Sequence, residues 1–250
     1  MKLTIGLPCA GSYEEVWFTT QALRLYQDLT DTEILIVDNG KEPHLERFVS
    51  SWAHRQVRHV RMEEQLGPAA AKNRVFAEAR GEWVICMDSH VLLVPGAVAR
   101  FRAWADAHPD CRDLLHGPLL YDDLISMADA MADEWRGGMW GTWRGGSPGP
   151  ELEPYEIPMH GCGLLACRRD SWLGFHPGMR GFGGEEGVIH AKYRKAGRRV
   201  LCLPWLRWNH LFRVQAAPYP VTVEDRIRNY ELGMGELGLD LAPMKAHFGR

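Results

Sequence analysis

Apolar positions along the first hundred residues switch repeatedly between runs and helical spacing, the pattern of alternating strands and helices in a parallel sheet. Leu3 to Leu7 predicts a strand, ended by Pro8 and Gly11. Glu14 to Asp28 predicts a helix, with Val16, Ala22, Leu23 and Tyr26 among its apolar positions. Glu33 to Val37 predicts a second strand running into the turn Asp38-Asn39-Gly40. Glu42 to His54 suits a helix, and Val57 to Arg61 a short third strand. Pro68 opens the next helix, where its missing N–H costs nothing. That helix runs to about Arg80, with Ala71, Val75 and Ala79 on one face and Gly81 closing it. Trp83 to Met87 then predicts a buried strand that delivers Asp88-Ser89-His90 at its C-terminal end.

The four strands end in Pro8-Cys9-Ala10, Asp38-Asn39, Gly67 and Asp88-Ser89-His90. These should converge, because ligands of open α/β sheets bind beyond the carboxyl ends of the strands. Leu114 to Tyr121 continues the apolar pattern. Residues 136–158, rich in Gly, Pro and Trp, predict a long functional loop that covers or contacts an acceptor. Pro158 to Cys167 predicts a strand, Asp170 the cap of a short helix, and Glu186 to Ala196 a helix. One domain of 250 residues is expected: a nucleotide-binding part over 1–120, a part for donor sugar and acceptor over 121–220, and a helical tail over 221–250.

Composition narrows the class without deciding it. A 46% hydrophobic and 24% charged chain is ordinary for a globular protein. Residues 1–150 carry 15 basic and 21 acidic side chains and the remainder 14 and 11, so the second part is mildly basic, far from the basic stripe of a dedicated DNA binder. The six cysteines form no CxxC pair and read as reduced, buried small residues, Cys162 included. No run is long enough for a signal peptide or membrane span, so the expected setting is cytoplasmic.

Asp88 and His90, two positions apart in a turn, can both reach one hard cation, with His210 as the natural third ligand. The plainer alternative is an aspartate capping the turn beside an exposed histidine. Further motifs separate the two. MDSH after a strand, GPAAAKNR before it and VDNG at the end of the second strand resemble a GT-A glycosyltransferase of the family-2 type. GCGLLACRRDSWLGF, GMRGFGGEEGVIHAKYRKAG and NHLFRVQAAPY resemble, in that order, the catalytic domain of polypeptide N-acetylgalactosaminyltransferases. The resemblance covers about residues 2–220.

It implies an α/β, GT-A (Rossmann-like) fold with a mostly parallel central sheet and flanking helices. Asp88, His90 and His210 would hold Mn²⁺ or Mg²⁺. Pro8, Cys9 and Ala10 would line a uracil pocket, and Asp38 would contact base or ribose. Gly67 and Arg74 would flank the nucleotide, with Ser89 in the same set. Gly161 to Gly163 would let backbone approach the sugar, Gly184 and Glu185 would meet its hydroxyls, and Arg213 would reach the diphosphate. The family's GGEN element reads Gly183-Gly184-Glu185-Glu186 here, with Phe182 where a Trp is usual. The extra carboxylate would alter sugar preference or supply an acceptor base.

The expected activity is metal-dependent transfer of a hexose or N-acetylhexosamine from a UDP-sugar to a hydroxyl, with retention by likeness. Inversion would make Glu185 or Glu186 the base. The acceptor is open: a hydroxymethylated DNA base in a phage-type modification, a protein, a glycan or a small molecule. Arg194, Lys195, Arg198 and Arg199 would touch phosphates in the first case, or form the solvated end of a helix. Two rivals are a sugar nucleotidyltransferase, which needs a glycine- and arginine-rich loop that LPCAGSYEE lacks, and a non-catalytic nucleotide-sugar-binding protein.

Overall fold

The computed structural model describes all residues except 12, 41, 52–55, 213–219 and 250. The opening strands fall where apolar runs predict them: β1 (Leu3–Cys9), β2 (Thr32–Asp38), β3 (Val57–Arg61) and β4 (Trp83–Met87). Between them lie α1 (Tyr13–Tyr26), α2 (Pro43–Ser50) and α3 (Pro68–Glu78). They pair in parallel in the order β3-β2-β1-β4, the helices serving as the crossovers that parallel neighbours need.

Both faces of β1, β2 and β4 are covered, so these strands are buried throughout, whereas β3 (VRHVR) at the edge is half-buried. Leu3, Ile5 and Leu7 point into one core with Val16, Leu23 and Leu45. Leu35, Val37, Val84 and Cys86 point into the other with Ala71, Val75 and Phe76 of α3. Helix α3 sits close because β1 presents Gly6 to it; a Cβ there would meet Val75 Cγ1 at 2.1 Å.

Beyond β4 the chain departs from a simple doubly wound plan. β5 (Val91–Leu93) follows the Asp88 turn, and α4 (Ala97–Ala107) follows it in a stretch where no element was expected. Pro95 and Gly96 open that helix, and Val98, Phe101 and Ala105 bury one face of it. The predicted strand over 114–121 is two pieces, β6 (Leu114–His116) and β7 (Leu119–Leu120). Gly117 lies between them, where the chain passes from one sheet to another and a Cβ would strike Leu206 O at 1.7 Å.

The opening part of the long loop expected over 136–158, as far as Gly145, belongs to a hairpin. β8 (Met127–Arg136) and β9 (Met139–Gly145) pair antiparallel through Gly137-Gly138, both at positive φ (58° and 77°), as a type I′ turn demands. Trp135 and Trp140 stack across it with ring centroids 5.7 Å apart. Thus tryptophan and glycine, which read as loop in one dimension, are a cross-strand pair and its turn.

β10 (Tyr155–Glu156), β11 (Leu164–Arg168) and α5 (Glu186–Lys195) come next, then β12 (Val200–Cys202) and β13 (Trp208–His210), and finally α6 (Val223–Glu236) and α7 (Ala242–His247). The strand predicted from Pro158 is confined to β11, and Asp170 lies inside a 3-10 turn, paired with Arg168 and Arg112 instead of capping. The large sheet is completed as β10-β12-β6-β11 beside β4, with β11 antiparallel to β4; the second sheet runs β5-β13-β7-β8-β9. Among the described residues no helix is long and apolar enough to cross a membrane.

Gly6→Ala should destabilise the protein by about 1–3 kcal/mol in urea unfolding, because α3 must move off β1. In a Val75→Ala background the same change should cost measurably less.

Candidate functional site

The carboxyl ends of β1, β2 and β4 converge as the sequence pattern requires. A small cavity of about 70 Å³ opens there, lined by Pro8, Cys9, Ala10, Asn39 and Ser89 among others. It shares Pro68, Lys72, Asp88, His90 and Phe182 with a larger cavity of about 380 Å³. Another cleft of similar size, about 360 Å³, lies beside the start of β1 and α4, but its charged side chains already pair with one another, as Lys2 with Asp106 and Arg102 with Asp28. It presents no comparable chemistry.

At the junction of the first two cavities, Asp88, His90 and His210 bring one ligand atom each to within 4.8 Å of one another. Asp88 and His90 sit where β4 ends, the Asp88 N–H donating to Gly163 O at 2.8 Å. His210 comes from the second sheet, where β13 pairs with β5 in the register His210–Val91. That pairing brings His210 beside His90, 120 positions earlier in the chain. His210 Nε2 lies 3.7 Å from Asp88 Oδ2, and the two imidazoles meet edge to face at 4.6 Å.

Each ligand has a support. Glu15, in the first turn of α1, places Oε2 3.2 Å from His90 Nδ1. That carboxylate accepts the Nδ1 proton and leaves Nε2 with its lone pair, the arrangement of a metal-binding histidine. Lys72 Nζ donates to Asp88 Oδ1 at 2.5 Å and is 97% buried as a side chain. Burial disfavours both charges. Even so, Asp88 holds the lysine well above its usual range, and Lys72, with His210 and His90, holds Asp88 well below the usual carboxylate range. Oδ2 is left toward His210. One carboxylate and two imidazoles, beside the orphaned His210 Nδ1, fit a divalent cation such as Mn²⁺.

Glycines let this cluster close up. A Cβ on Gly163 would lie 2.9 Å from Trp208 and 3.2 Å from His210 Cδ2, and one on Gly161 would lie 2.6 Å from Trp143. Trp143, with Met131 and Met139, brings the β8–β9 hairpin to the cavity wall. Opposite them stand Glu185 and Glu186 at the start of α5. Burial and then the Glu186 carboxylate push Glu185 up to about 8, and Glu186 is raised as well, by burial foremost. Behind them a buried group of three imidazoles ties α5 to the sheet. His190 Nδ1 bonds Glu186 O, its Nε2 lies 3.0 Å from His116 Nε2, and it accepts the His160 N–H at 3.2 Å. Burial pushes His160 down to about 4 and His190 to about 3, and His116 well below its usual value.

Several residues named from sequence are placed elsewhere. Asp38 is fully buried, its carboxylate accepting from Gly40 N (3.0 Å) and Glu42 N (3.2 Å) and facing Arg61 Nε at 3.3 Å; Asn39 lines the small cavity in its stead. Arg74 lies on the exposed face of α3, 2.7 Å from Glu78, and is not brought to the cavity. Gly67 and Gly184 act through conformation, at φ 102° and 95°, the first against Gly181 O and the second against Asn229. Arg213 lies outside the described residues. Cys162 lines the cavity, but burial holds its thiol well above the usual range, as befits packing. Arg194, Lys195 and Arg198 donate to carbonyls of Pro158, Leu237 and Ser171, and Arg199 pairs with Asp113, so they form no free basic patch.

Lys72 and Glu15 are residues that sequence reasoning missed; Asn39 and Trp143 were placed only by segment, at the converging strand ends and in the 136–158 stretch. Lys72 lay in view within GPAAAKNR: the lysine turns to Asp88 while Asn73 is used up on Phe175 and Trp172.

Gly163→Ala should lower Mn²⁺ affinity about 10–100-fold by calorimetry, since His210 is displaced, while circular dichroism stays unchanged. Glu185 binds a proton more tightly folded than unfolded, so between its ordinary value and about 8 the folded chain loses stability as pH rises. Glu185→Gln should therefore gain stability over the parent as pH is raised from 5 to 8 in urea titrations, and show no such gain near pH 4.

Residues 4–111 match glycosyl transferase family 2. No curated protein matches the chain by sequence. The fold superposes on GalNAc-T7 solved with UDP, GalNAc and Mn²⁺ at a TM-score of 0.74 and 17% identity, over 100% of this chain and 54% of that one. It also superposes on S. aureus TarS 1–349 in complex with UDP-GlcNAc at 0.66 and 17% identity, over 98% of this chain and 69% of that one. The chain thus spans about half the length of the first of these. The family 2 match is confined to residues 4–111, within a GT-A fold that the whole chain shares with these two solved structures.

Proposed function

We propose that the chain transfers a hexose or N-acetylhexosamine from a UDP-sugar to a hydroxyl-bearing acceptor, and does so with a divalent cation bound. The observation that carries this reading is the Asp88–His90–His210 cluster at the mouth of two joined cavities. The solved relatives hold UDP with Mn²⁺ or UDP-GlcNAc, which points to the same donor class here. A cation on the cluster would neutralise the charge that develops on the leaving diphosphate.

The chain's own groups divide the remaining tasks. Pro8, Cys9, Ala10 and Asn39 line the small cavity, a fitting place for the base. Glu15 fixes the His90 tautomer, and Lys72 holds Asp88 ionised and turned so that Oδ2 faces the site. The larger cavity, walled by Trp143, Phe182 and Phe212, takes the sugar and acceptor, where apolar walls exclude water from the reacting diphosphate. On this division residues 1–120 serve the nucleotide and 121–220 the sugar and acceptor, with Arg213 reaching the diphosphate. Retention follows the resemblance and needs no protein nucleophile. One observation favours inversion as a second reading: Glu185 and Glu186 line the same cavity with raised pKa, as suits a base for the acceptor hydroxyl. The acceptor is proposed only as a hydroxyl compound, whether glycan, protein, small molecule or modified DNA base.

Incubation with Mn²⁺ and a panel of UDP-sugars should release UDP. No release from any donor, with or without hydroxyl acceptors, counts against transfer and leaves the nucleotidyltransferase and binding-protein readings. His210→Ala should abolish metal-dependent UDP binding in calorimetry while thermal unfolding is retained; unchanged binding would remove His210 from the site.

A further inference from the structure

Glu33, Asp38 and Asp113 are buried acids that each carry a cation within the chain. Glu33 faces Arg58, Asp38 faces Arg61 and Asp113 faces Arg199. Asp88, partly buried, has Lys72. Glu185 is 98% buried and breaks the pattern: among the described residues no cation lies within ion-pair distance of it, and its Oε1 has no hydrogen-bond partner. Its neighbour Glu186 lines the same cavity, also without an ion-pair partner among the described residues. Although they open α5, where the helix dipole favours carboxylates, the cap position makes no side-chain hydrogen bond. The pair is therefore not occupied in capping the helix.

An uncompensated pair of carboxylates in a water-poor cavity is costly unless something neutralises it. Lys72 acts electrostatically on both glutamates and Arg226 on Glu186, but neither forms an ion pair with them: Lys72 is bonded to Asp88, and Arg226 donates to Gly138 O. Besides the Asp88–His90–His210 cluster, the wall includes Met131, Met139, Trp143, Phe182 and Phe212, which offer aromatic and thioether faces and no positive charge. Aromatic faces beside carboxylates are the surroundings in which proteins hold an ammonium group. Among the described residues, then, no cation is paired with these two carboxylates in the cavity.

We propose that the Glu185–Glu186 pair binds a protonated primary amine on the substrate, so that this site selects an amino sugar over its N-acetylated or hydroxyl counterpart. The proposal rests on the transferase reading and names its substrate class. Burial, and then the neighbouring Glu186 carboxylate, raise Glu185 to about 8, and an ammonium group between the two would offset both effects.

The amine can belong to the donor or to the acceptor, and two sets of probes separate them. Calorimetry with Mn²⁺ compares UDP-glucosamine with UDP-glucose and UDP-N-acetylglucosamine; a second series, with UDP and Mn²⁺ present, compares glucosamine with glucose. One of the two amines should bind at least ~10-fold more tightly than its uncharged counterparts, the scale of one charge-assisted hydrogen bond. That ratio should fall toward one in both Glu185→Gln and Glu186→Gln, whose folding is checked by circular dichroism. If the wild type binds UDP with metal but prefers neither amine, the amine assignment is overturned and the transferase reading stands. If the preference survives both substitutions, the pair is not its source and the assignment is likewise overturned. If the wild type binds no UDP and no UDP-sugar, both readings fall together.

Discussion

An ammonium group buried against a carboxylate is the contact on which the rest of the site depends. Lys72 Nζ and Asp88 Oδ1 stand 2.5 Å apart, the lysine sealed from solvent. Burial raises the pKa of Asp88 at the end of this strand, and Lys72 is the largest of the influences that hold it down instead. The pair also ties α3 to β4, so the position of a helix becomes a condition for the charge state of a ligand. Gly6 meets that condition, since only its missing side chain lets Val75, one turn beyond Lys72, come down onto β1. Packing and electrostatics are here one constraint.

The second sheet completes the arrangement. β13 lies antiparallel to β5, directly after the Asp88 turn, and this register carries His210 to the other two ligands. Gly163 leaves room for both Trp208 and His210, and its carbonyl accepts from Asp88 N–H, so one residue touches ligands from both parts of the chain. The β8–β9 hairpin extends the same sheet and adds Trp143 to the cavity wall. Polar side chains therefore gather where the two sheets approach, and the two cavities share Asp88 and His90 as their border.

Legibility differed from residue to residue for physical reasons. Asp88 and His90 were readable because they follow an apolar run that can only be a buried strand, and a carboxylate there needs an explanation. Asp38, at the end of β2, invited the same treatment, but its oxygens are taken by the turn it closes and by Arg61. Both aspartates end strands, and only the partners tell them apart. Arg74 and Lys72 sit two positions apart on one helix, so a rotation of about 200° decides which faces the sheet. The neighbouring apolar positions Ala71 and Val75 already marked the inner face, and Lys72 lies beside them. Glu15 could not be read at all, because its value comes from a distance to His90 across 75 residues.

The order of hydrophobic runs and breaks by itself determined the parallel half of the sheet, the edge at which ligands meet, and the strand end that bears Asp88 and His90. Those features follow from periodicity and turn chemistry, which act over a few residues. The tertiary structure decided the hairpin within 127–145, the seat of His210, the pairing of Lys72 with Asp88 and the bare carboxylates of α5. Each of these is a contact between segments far apart in the chain, where burial sets the worth of a charge and local pattern is silent.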